Sequence, residues 1–67
     1  NSVCPGGVFN KKYPQNKIFI KNYRNRVPLR RLAENKEIAS SIIFLSSEAS
    51  SYITGTALMV DGGWTCI

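Results

Sequence analysis

Residues 36–63 read KEIASSIIFLSSEASSYITGTALMVDGG, and this stretch decides the fold. Its first part, residues 36–47, repeats apolar side chains with the period of a helix, and this predicts an amphipathic helix with a wide apolar face. That face comprises Ile38, Ala39, Ile42, Ile43 and Leu45. Residues 56–60 form a continuous apolar run, which predicts a strand buried on both faces of a parallel sheet. Residues 61–63, Asp-Gly-Gly, end the strand.

A second helix is predicted over residues 16–26. Phe19, Tyr23 and Val27 recur at i, i+4 and i+8, with Asn16 as the N-cap and Pro28 as the residue that stops the helix. In the later helix, Asn35 is the predicted cap, and Glu37 lies in the first turn, where the helix dipole favours an acid.

The chain begins with what we interpret as the end of a strand, residues 1–4, followed by the turn Pro5-Gly6-Gly7. The predicted order is therefore strand end, loop, helix, helix and strand, which is one crossover unit of a parallel α/β sheet. Two strands cannot cover their own faces. Ordering costs about 1.5 kcal/mol per residue, so a chain this short has little net stability alone. We therefore expect 67 residues to be a fragment of a larger domain.

Composition narrows the possible chemistry. The chain has no histidine, so Ser-His-Asp mechanisms and Cys/His zinc sites cannot be built from its own residues. Two cysteines, Cys4 and Cys66, fit a reducing compartment, although a bridge between them stays open. Nine basic residues face four acidic ones, and all nine lie between positions 11 and 36. This cluster is either a solvated surface or a nucleic-acid-binding region, and we favour the surface.

Two motifs carry a family resemblance. Residues 1–8, Asn-Ser-Val-Cys-Pro-Gly-Gly-Val, resemble the Asn-x-x-x-Pro-Gly segment of the short-chain dehydrogenase/reductase family. Residues 38–63 look like the last helix and last strand of that family, with the pattern Phe-Leu-x-Ser-x-x-Ala-Ser-x-Tyr-Ile-Thr-Gly before an apolar run and Val-Asp-Gly-Gly. Both motifs occur in the family's order and at its typical spacing, and residues 9–34 are the least similar part.

The resemblance implies an α/β fold, a Rossmann-type doubly wound parallel sheet, of which the chain is a C-terminal fragment supplying the last strands and helices. Residues 1–67 would be the C-terminal part of one NAD(P)-binding domain. Residues 1–8 would hold a strand end and a Pro-Gly cofactor loop, and residues 9–34 the substrate-loop region. Residues 35–48 would be the last helix, and residues 56–61 the last strand.

The resemblance also implies a cofactor site for NAD or NADP. Pro5, Gly6 and Gly7 would shape the wall of the nicotinamide pocket, and the backbone of Val8 would hold the carboxamide. Asn10 stands where many members have a threonine, and its amide would contact the carboxamide or a phosphate. The family's catalytic serine and Tyr-x-x-x-Lys pair are expected to lie outside these residues. We therefore predict no catalytic residue, no metal site at residues 61–63, and no hydride transfer by the chain alone. The alternatives are a small basic nucleic-acid-binding module that uses residues 11–36 and a fragment that serves only for assembly with the rest of the protein.

Partners follow from the same resemblance. The parent would be a cytoplasmic NAD(P)-dependent oxidoreductase acting on a small hydroxyl or carbonyl compound, without nucleic-acid or membrane partners. It would be a homo-oligomer, dimer or tetramer, in which Ile42, Ile43 and residues 56–60 form part of the interface. Tyr52 is predicted to be a packing anchor. The aromatic residues of the 9–27 region either line a substrate pocket or pack a helix onto the body; they are Phe9, Tyr13, Phe19 and Tyr23.

Overall fold

A computed structural model describes all residues, 1–67. Strand β1 spans Ser2–Pro5 and strand β2 spans Ala57–Val60, and the two pair in parallel with Ser2 opposite Ala57 and Pro5 opposite Val60. The connection between them contains helix α1, Lys17–Arg26, and helix α2, Asn35–Leu45. Short 3-10 helices follow at Glu48–Ser50 and Trp64–Cys66. The predicted parallel crossover unit is confirmed.

Helix α1 begins and ends where the sequence predicts. The Asn16 side chain accepts the Ile18 N–H at 2.7 Å, which satisfies one of the free donors of the first turn. Val27 is extended and its N–H donates to the Tyr23 carbonyl at 3.0 Å, after which Pro28 cannot continue the helix. Val27 is also fully buried, so the helix exit lies in the small apolar core.

The predicted cap of α2 is wrong by one residue. Glu34, not Asn35, precedes the helix in an extended conformation. Its N–H donates to the Glu37 carboxylate at 2.9 Å, and the Glu37 N–H donates to the Glu34 carbonyl at 2.9 Å. The long Glu37 side chain reaches back over the first turn and satisfies the N–H of the N-cap residue, as the third helical residue does in a capping box.

The part of the apolar face of α2 that is buried against the rest of the chain is narrower than predicted. Ile38 and Leu45 are half-buried, whereas Ile42 and Ile43 are 52% and 67% exposed. Strand β2 is likewise covered incompletely, since Met59 is 49% exposed. Burial of the strand on both faces is therefore not found within these residues, because a sheet of two strands packs against too few elements to cover both faces. No helix is both long and apolar enough to cross a membrane.

Tyr52 does not pack as predicted, because its side chain is fully exposed. The turn that it belongs to is held instead by backbone bonds, such as the Ile53 N–H to the Ser50 carbonyl at 2.9 Å. Asn1 ties the same turn to the start of β1: its amide donates to the Ile53 carbonyl at 3.1 Å and accepts the Thr56 N–H at 3.0 Å.

The Asp-Gly-Gly turn docks the end of β2 onto the exit of α1. Gly62 and Gly63 both have left-handed backbones, with φ of 63° and 98°. A Cβ on Gly63 would lie 2.7 Å from Pro28 Cγ, and the Leu29 N–H donates to the Gly62 carbonyl at 3.1 Å. Glycine is therefore required here both by conformation and by the close approach of the proline ring.

Gly63 of this turn and Gly55 of the turn before β2 give a matched pair of substitutions, since both have left-handed backbones. Gly55→Ala meets only the left-handed penalty, roughly 1–2 kcal/mol, because nothing lies within 4 Å of the added Cβ. Gly63→Ala adds a clash with Pro28, so we expect it to lower the free energy of unfolding by at least about 1 kcal/mol more. Urea unfolding of the two variants measures the difference, and equal losses would contradict the docking of this turn on Pro28.

Candidate functional site

The turn after β1 is packed so closely that only glycine fits at two successive positions. The Gly6 N–H donates to the Val60 carbonyl at 3.0 Å, which extends the β1–β2 pairing by one residue. A Cβ on Gly6 would lie 2.9 Å from Asp61 Cα, and a Cβ on Gly7 would lie 2.7 Å from both Leu32 Cδ2 and Tyr23 Cζ. The Pro-Gly-Gly sequence is thus explained by close approach of α1 and of the β2 end.

Tyr23 of α1 holds this turn. The Gly7 N–H donates to the Tyr23 hydroxyl at 2.7 Å. The Tyr23 ring stacks on Trp64 with a centroid distance of 5.1 Å and an interplanar angle of 9°, and on Phe19 at 6.0 Å and 28°. Tyr23 therefore packs α1 onto the rest of the chain, as one of its two predicted roles required, and it also fixes the turn.

Val8 is held in an extended backbone that leaves its own N–H free. Ala33 pairs with the peptide groups on either side: its N–H donates to Gly7 and its carbonyl accepts from Phe9, both at 2.9 Å. The Val8 carbonyl accepts from Gln15 Nε2 at 2.6 Å. The Val8 N–H makes no hydrogen bond within the chain. A free donor therefore follows directly after the glycines.

Gln15 adds an acceptor that sequence reasoning missed. Its Oε1 is buried and has no hydrogen-bond partner, while its Nε2 contacts Val8. A buried polar atom without a partner costs free energy, and such an atom in a native site calls for an explanation. A free N–H and an orphaned carbonyl oxygen beside one another match the acceptor and donor of a primary amide. Nothing in the sequence pattern singled out Gln15, because it lies in an irregular loop.

Asn10 lies apart from the rest of the predicted cofactor residues. Its Oδ1 accepts the N–H groups of Lys12 and Tyr13 at 3.0 and 3.1 Å, so that it organises its own loop. It lines a separate groove with residues of the α2 start, Glu34 among them. Its amide Nδ2 is the group that remains for contact with a ligand.

An open cavity of about 580 Å³ adjoins the turn, a volume typical of small-molecule sites. Among the predicted cofactor residues, only Gly7 lines it. The other lining residues come from α1, the α1–α2 connection, α2, the end of β2 and the last 3-10 helix; they include Tyr23, Arg31, Ala33, Glu37, Asp61 and Cys66. The turn, the first helix and the last strand thus converge on one concave surface.

One ion pair borders this cavity. Arg31 donates two bonds to the Glu37 carboxylate, at 2.7 and 2.9 Å. These bonds, together with the N–H of Glu34, lower the pKa of Glu37 to about 2, and the pair raises the pKa of Arg31. Arg31 is exposed but committed to Glu37, and the two bring a fixed, nearly neutral pair to the cavity wall.

Asp61 is a structural acid. Its carboxylate accepts the Gly63 N–H at 3.0 Å and the Thr65 N–H at 3.1 Å, which caps the last 3-10 helix. Desolvation by burial raises the pKa of Asp61, but the hydrogen bonds from Thr65 and Gly63 outweigh it and leave that pKa lowered. No group of three or more His, Cys, Asp or Glu side chains that could hold a metal ion forms in the chain. Cys4 and Cys66 are free thiols, so no bridge joins them.

Tyr13 and Lys17 have the spacing of a Tyr-x-x-x-Lys pair. They do not share a helix. Lys17 is the first residue of α1, whereas Tyr13 lies in a bend before Pro14 and is 70% exposed. Without a helical turn between them, the spacing does not place the two side chains on one face.

Comparisons with known proteins identify the class. A family model described as enoyl-(acyl carrier protein) reductase matches residues 1–65. An uncharacterized short-chain type dehydrogenase/reductase of Sinorhizobium fredii is 49% identical over 70 residues, which cover 98% of this chain and 13% of that protein. A solved short-chain dehydrogenase/reductase of Serratia marcescens superposes with a TM-score of 0.84 at 30% identity, covering 94% of this chain and 26% of that one.

A gluconate 5-dehydrogenase of Burkholderia cenocepacia, solved with NADP and tartrate, superposes with a TM-score of 0.83 at 29% identity and covers 97% of this chain and 27% of that one. The chain belongs to the short-chain dehydrogenase/reductase family, whose members are Rossmann-fold α/β oxidoreductases. It spans 13%, 25% and 28% of the length of three curated relatives that it matches.

The role of Tyr23 is tested by a matched pair. Tyr23→Phe keeps the stacked ring but leaves the Gly7 N–H without its acceptor, so we expect a loss of about 1–3 kcal/mol in the free energy of unfolding. Tyr52→Phe removes a fully exposed hydroxyl and is expected to change nothing measurable. Equal effects of the two substitutions, or unchanged amide exchange at Gly7 in Tyr23→Phe, would contradict the account.

The Arg31–Glu37 pair predicts an acid-sensitive stability. Because the pKa of Glu37 is lowered from 4.5 to about 2, its contribution is present above the unfolded-state pKa and is lost as the pH falls towards 2. In Arg31→Gln the Glu37 carboxyl should titrate at a clearly higher pH, while Lys36→Gln should have a smaller effect. Carboxyl ¹³C chemical shifts measure this, and an unchanged midpoint in Arg31→Gln would refute the assignment.

Proposed function

We propose that the chain is the C-terminal segment of an NAD(P)-dependent short-chain oxidoreductase that transfers a hydride between nicotinamide and a small hydroxyl or carbonyl substrate. The observation that carries this proposal is the Val8 N–H, which has no partner in the chain, beside the orphaned Gln15 Oε1. Family membership and a relative solved with NADP support NAD(P) use by the complete protein.

In this proposal the turn orients the carboxamide of the cofactor. The Val8 N–H would donate to the carboxamide oxygen, and Gln15 Oε1 would accept from its NH₂ group. Tyr23 would keep Gly7, and with it Val8, in place. Pro5 and Gly6 would form the wall, and Asn10 could offer only its Nδ2. The cofactor, when bound, supplies the hydride acceptor or donor.

The proton chemistry is assigned to residues outside the chain. Oxidation of a hydroxyl substrate sends the hydride to the nicotinamide and the hydroxyl proton to a base. Tyr13 and Lys17, the pair with the family spacing, do not share a helix and are not proposed as that base. The proposal therefore places the catalytic serine and Tyr-x-x-x-Lys pair, and a glycine-rich phosphate-binding turn, before Asn1 in the complete protein.

Assembly and location complete the proposal. Ile42, Ile43 and Met59 are half or more exposed and apolar, and we propose that they are covered in a homo-oligomer of the complete protein, a dimer or tetramer. The two free thiols are consistent with a cytoplasmic location.

The carboxamide contact can be tested at one backbone atom. In the complete protein labelled with [¹⁵N]valine, addition of NAD or NADP should shift the Val8 amide, which Val8→Ile assigns by removing its signal. Val3 and Val27 serve as internal controls, since Val27 already donates to Tyr23. Cofactor binding that shifts Val27 but leaves Val8 unchanged would contradict the assigned contact.

The assignment of the catalytic residues to the part of the protein before Asn1 gives a second test. The isolated chain is expected to show no turnover of NADH or NADPH with any carbonyl substrate, while the complete protein does. Sequencing the coding region before Asn1 supplies the control, because the proposal requires a glycine-rich turn and a serine with Tyr-x-x-x-Lys there. Turnover by the chain alone, or a coding region without these motifs, would refute the proposal.

A further inference from the structure

The positive charge of the chain is concentrated on residues that have no acidic partner. Only two of the nine basic side chains form ion pairs: Arg31 with Glu37 at 2.7 Å and Lys36 with Glu34 at 3.2 Å. The remaining seven have no carboxylate within 4 Å. The net charge of +5 is therefore not neutralised by neighbouring carboxylates, and several of the unpaired basic side chains lie together.

That place is a groove between α1 and the connection that follows it. It has a volume of about 390 Å³ and contains four cationic side chains and no acid; its lining is Lys17, Ile20, Lys21, Arg24, Asn25 and Arg30. Lys17, Lys21 and Arg24 are spaced by four and three residues, so they share one face of α1. Like charges at this spacing destabilise a helix unless an anion lies between them.

A strained residue completes the groove. Arg30 is the only non-glycine residue with positive φ, at 62°. Its carbonyl accepts from Arg24 Nε at 3.2 Å, and its guanidinium donates to the Asn25 carbonyl. The left-handed backbone therefore holds a second guanidinium beside Arg24 at the end of α1. Strain of this kind persists where the surroundings enforce it, and it is concentrated at functional sites.

The helix dipole explains only part of this arrangement. Cations near the C-terminal end of α1 are favourable, and this accounts for Arg24 and Arg30. Lys17 is the first residue of the helix, where a cation is unfavourable, and the first turn contains no acid. The helix dipole therefore does not explain why all four cationic side chains lie in this groove.

We propose that this groove binds a phosphate-bearing small molecule, with the phosphate oxygens between Lys21, Arg24 and Arg30. Two guanidinium groups can bind phosphate oxygens in pairs, and two ammonium groups add point charge, which suits a dianion better than a carboxylate. The groove is large enough for a diphosphate. None of these residues belongs to the Pro-Gly-Gly turn, so the groove can be tested separately from the carboxamide contact.

A nucleic acid fits the surface less well. Continuous binding to a phosphate backbone needs a basic track that continues beyond one groove. The other basic cluster, Lys11 and Lys12, lines a separate groove that also contains Glu34. A small phosphate-bearing ligand therefore explains the distribution of charge better than a nucleic acid does, because it needs only this one groove.

The test uses inorganic pyrophosphate as the probe and the complete protein at about 0.15 M ionic strength. With the proposed glycine-rich turn filled by excess NAD, calorimetry should show one saturable pyrophosphate site per subunit, and Lys21→Gln combined with Arg24→Gln should weaken it by about tenfold or more. The matched control, Lys11→Gln with Lys12→Gln, removes the same charge outside the groove and should change the affinity less than about twofold. Equal weakening by both pairs, or no binding, would overturn the proposal.

Arg30→Gly separates folding from binding. Glycine suits the left-handed backbone, so stability should be kept or increased while pyrophosphate affinity falls about fivefold or more. Unchanged affinity for pyrophosphate in Arg30→Gly would overturn the site.

Competition distinguishes the source of the phosphate. If NADP displaces pyrophosphate and NAD does not, the groove binds the 2′-phosphate of the cofactor. If only a sugar phosphate displaces it, the groove binds a substrate. Tighter, steeply salt-dependent binding of single-stranded DNA would contradict a small-molecule site.

Discussion

The hydrogen bond from the Gly7 N–H to the Tyr23 hydroxyl, 2.7 Å long, is the contact on which the rest of the structure depends. It joins the turn after the first strand to the first helix. It forms only because neither Gly6 nor Gly7 has a Cβ, since either one would collide with Tyr23. The Tyr23 ring also stacks on Trp64, beyond the last strand, so a single side chain links the beginning, middle and end of the chain.

The same constraint explains the geometry of the candidate site. With Gly7 held by Tyr23 and by Ala33, the next residue is extended and presents its N–H away from both partners. Gln15 then places a buried oxygen next to it. The donor and acceptor for a primary amide thus follow from packing around two glycines, without any charged residue. One backbone donor and one neutral side-chain acceptor fit a neutral recognition group.

The sequence predicted the architecture well because the decisive signals are local. Periodicity placed both helices within about two residues, and Asn16 was correctly assigned as a cap. The sequence did not predict features that depend on the conformation or exposure of one side chain. The Glu37 side chain reached back to Glu34 and displaced Asn35 as the cap, and Tyr52 points into solvent although its motif suggested packing. Gln15 and the strained Arg30 gave no signal, because irregular loops have no period to read.

The most direct test of the account is a crystal structure of the complete protein with bound NAD or NADP. The account predicts that the carboxamide oxygen accepts the Val8 N–H at about 2.9 Å and that Gln15 Oε1 accepts from the carboxamide NH₂ group. It also requires the Gly7–Tyr23 bond to remain. A carboxamide bound by other groups, with the Val8 N–H facing water or the turn detached from Tyr23, would contradict it.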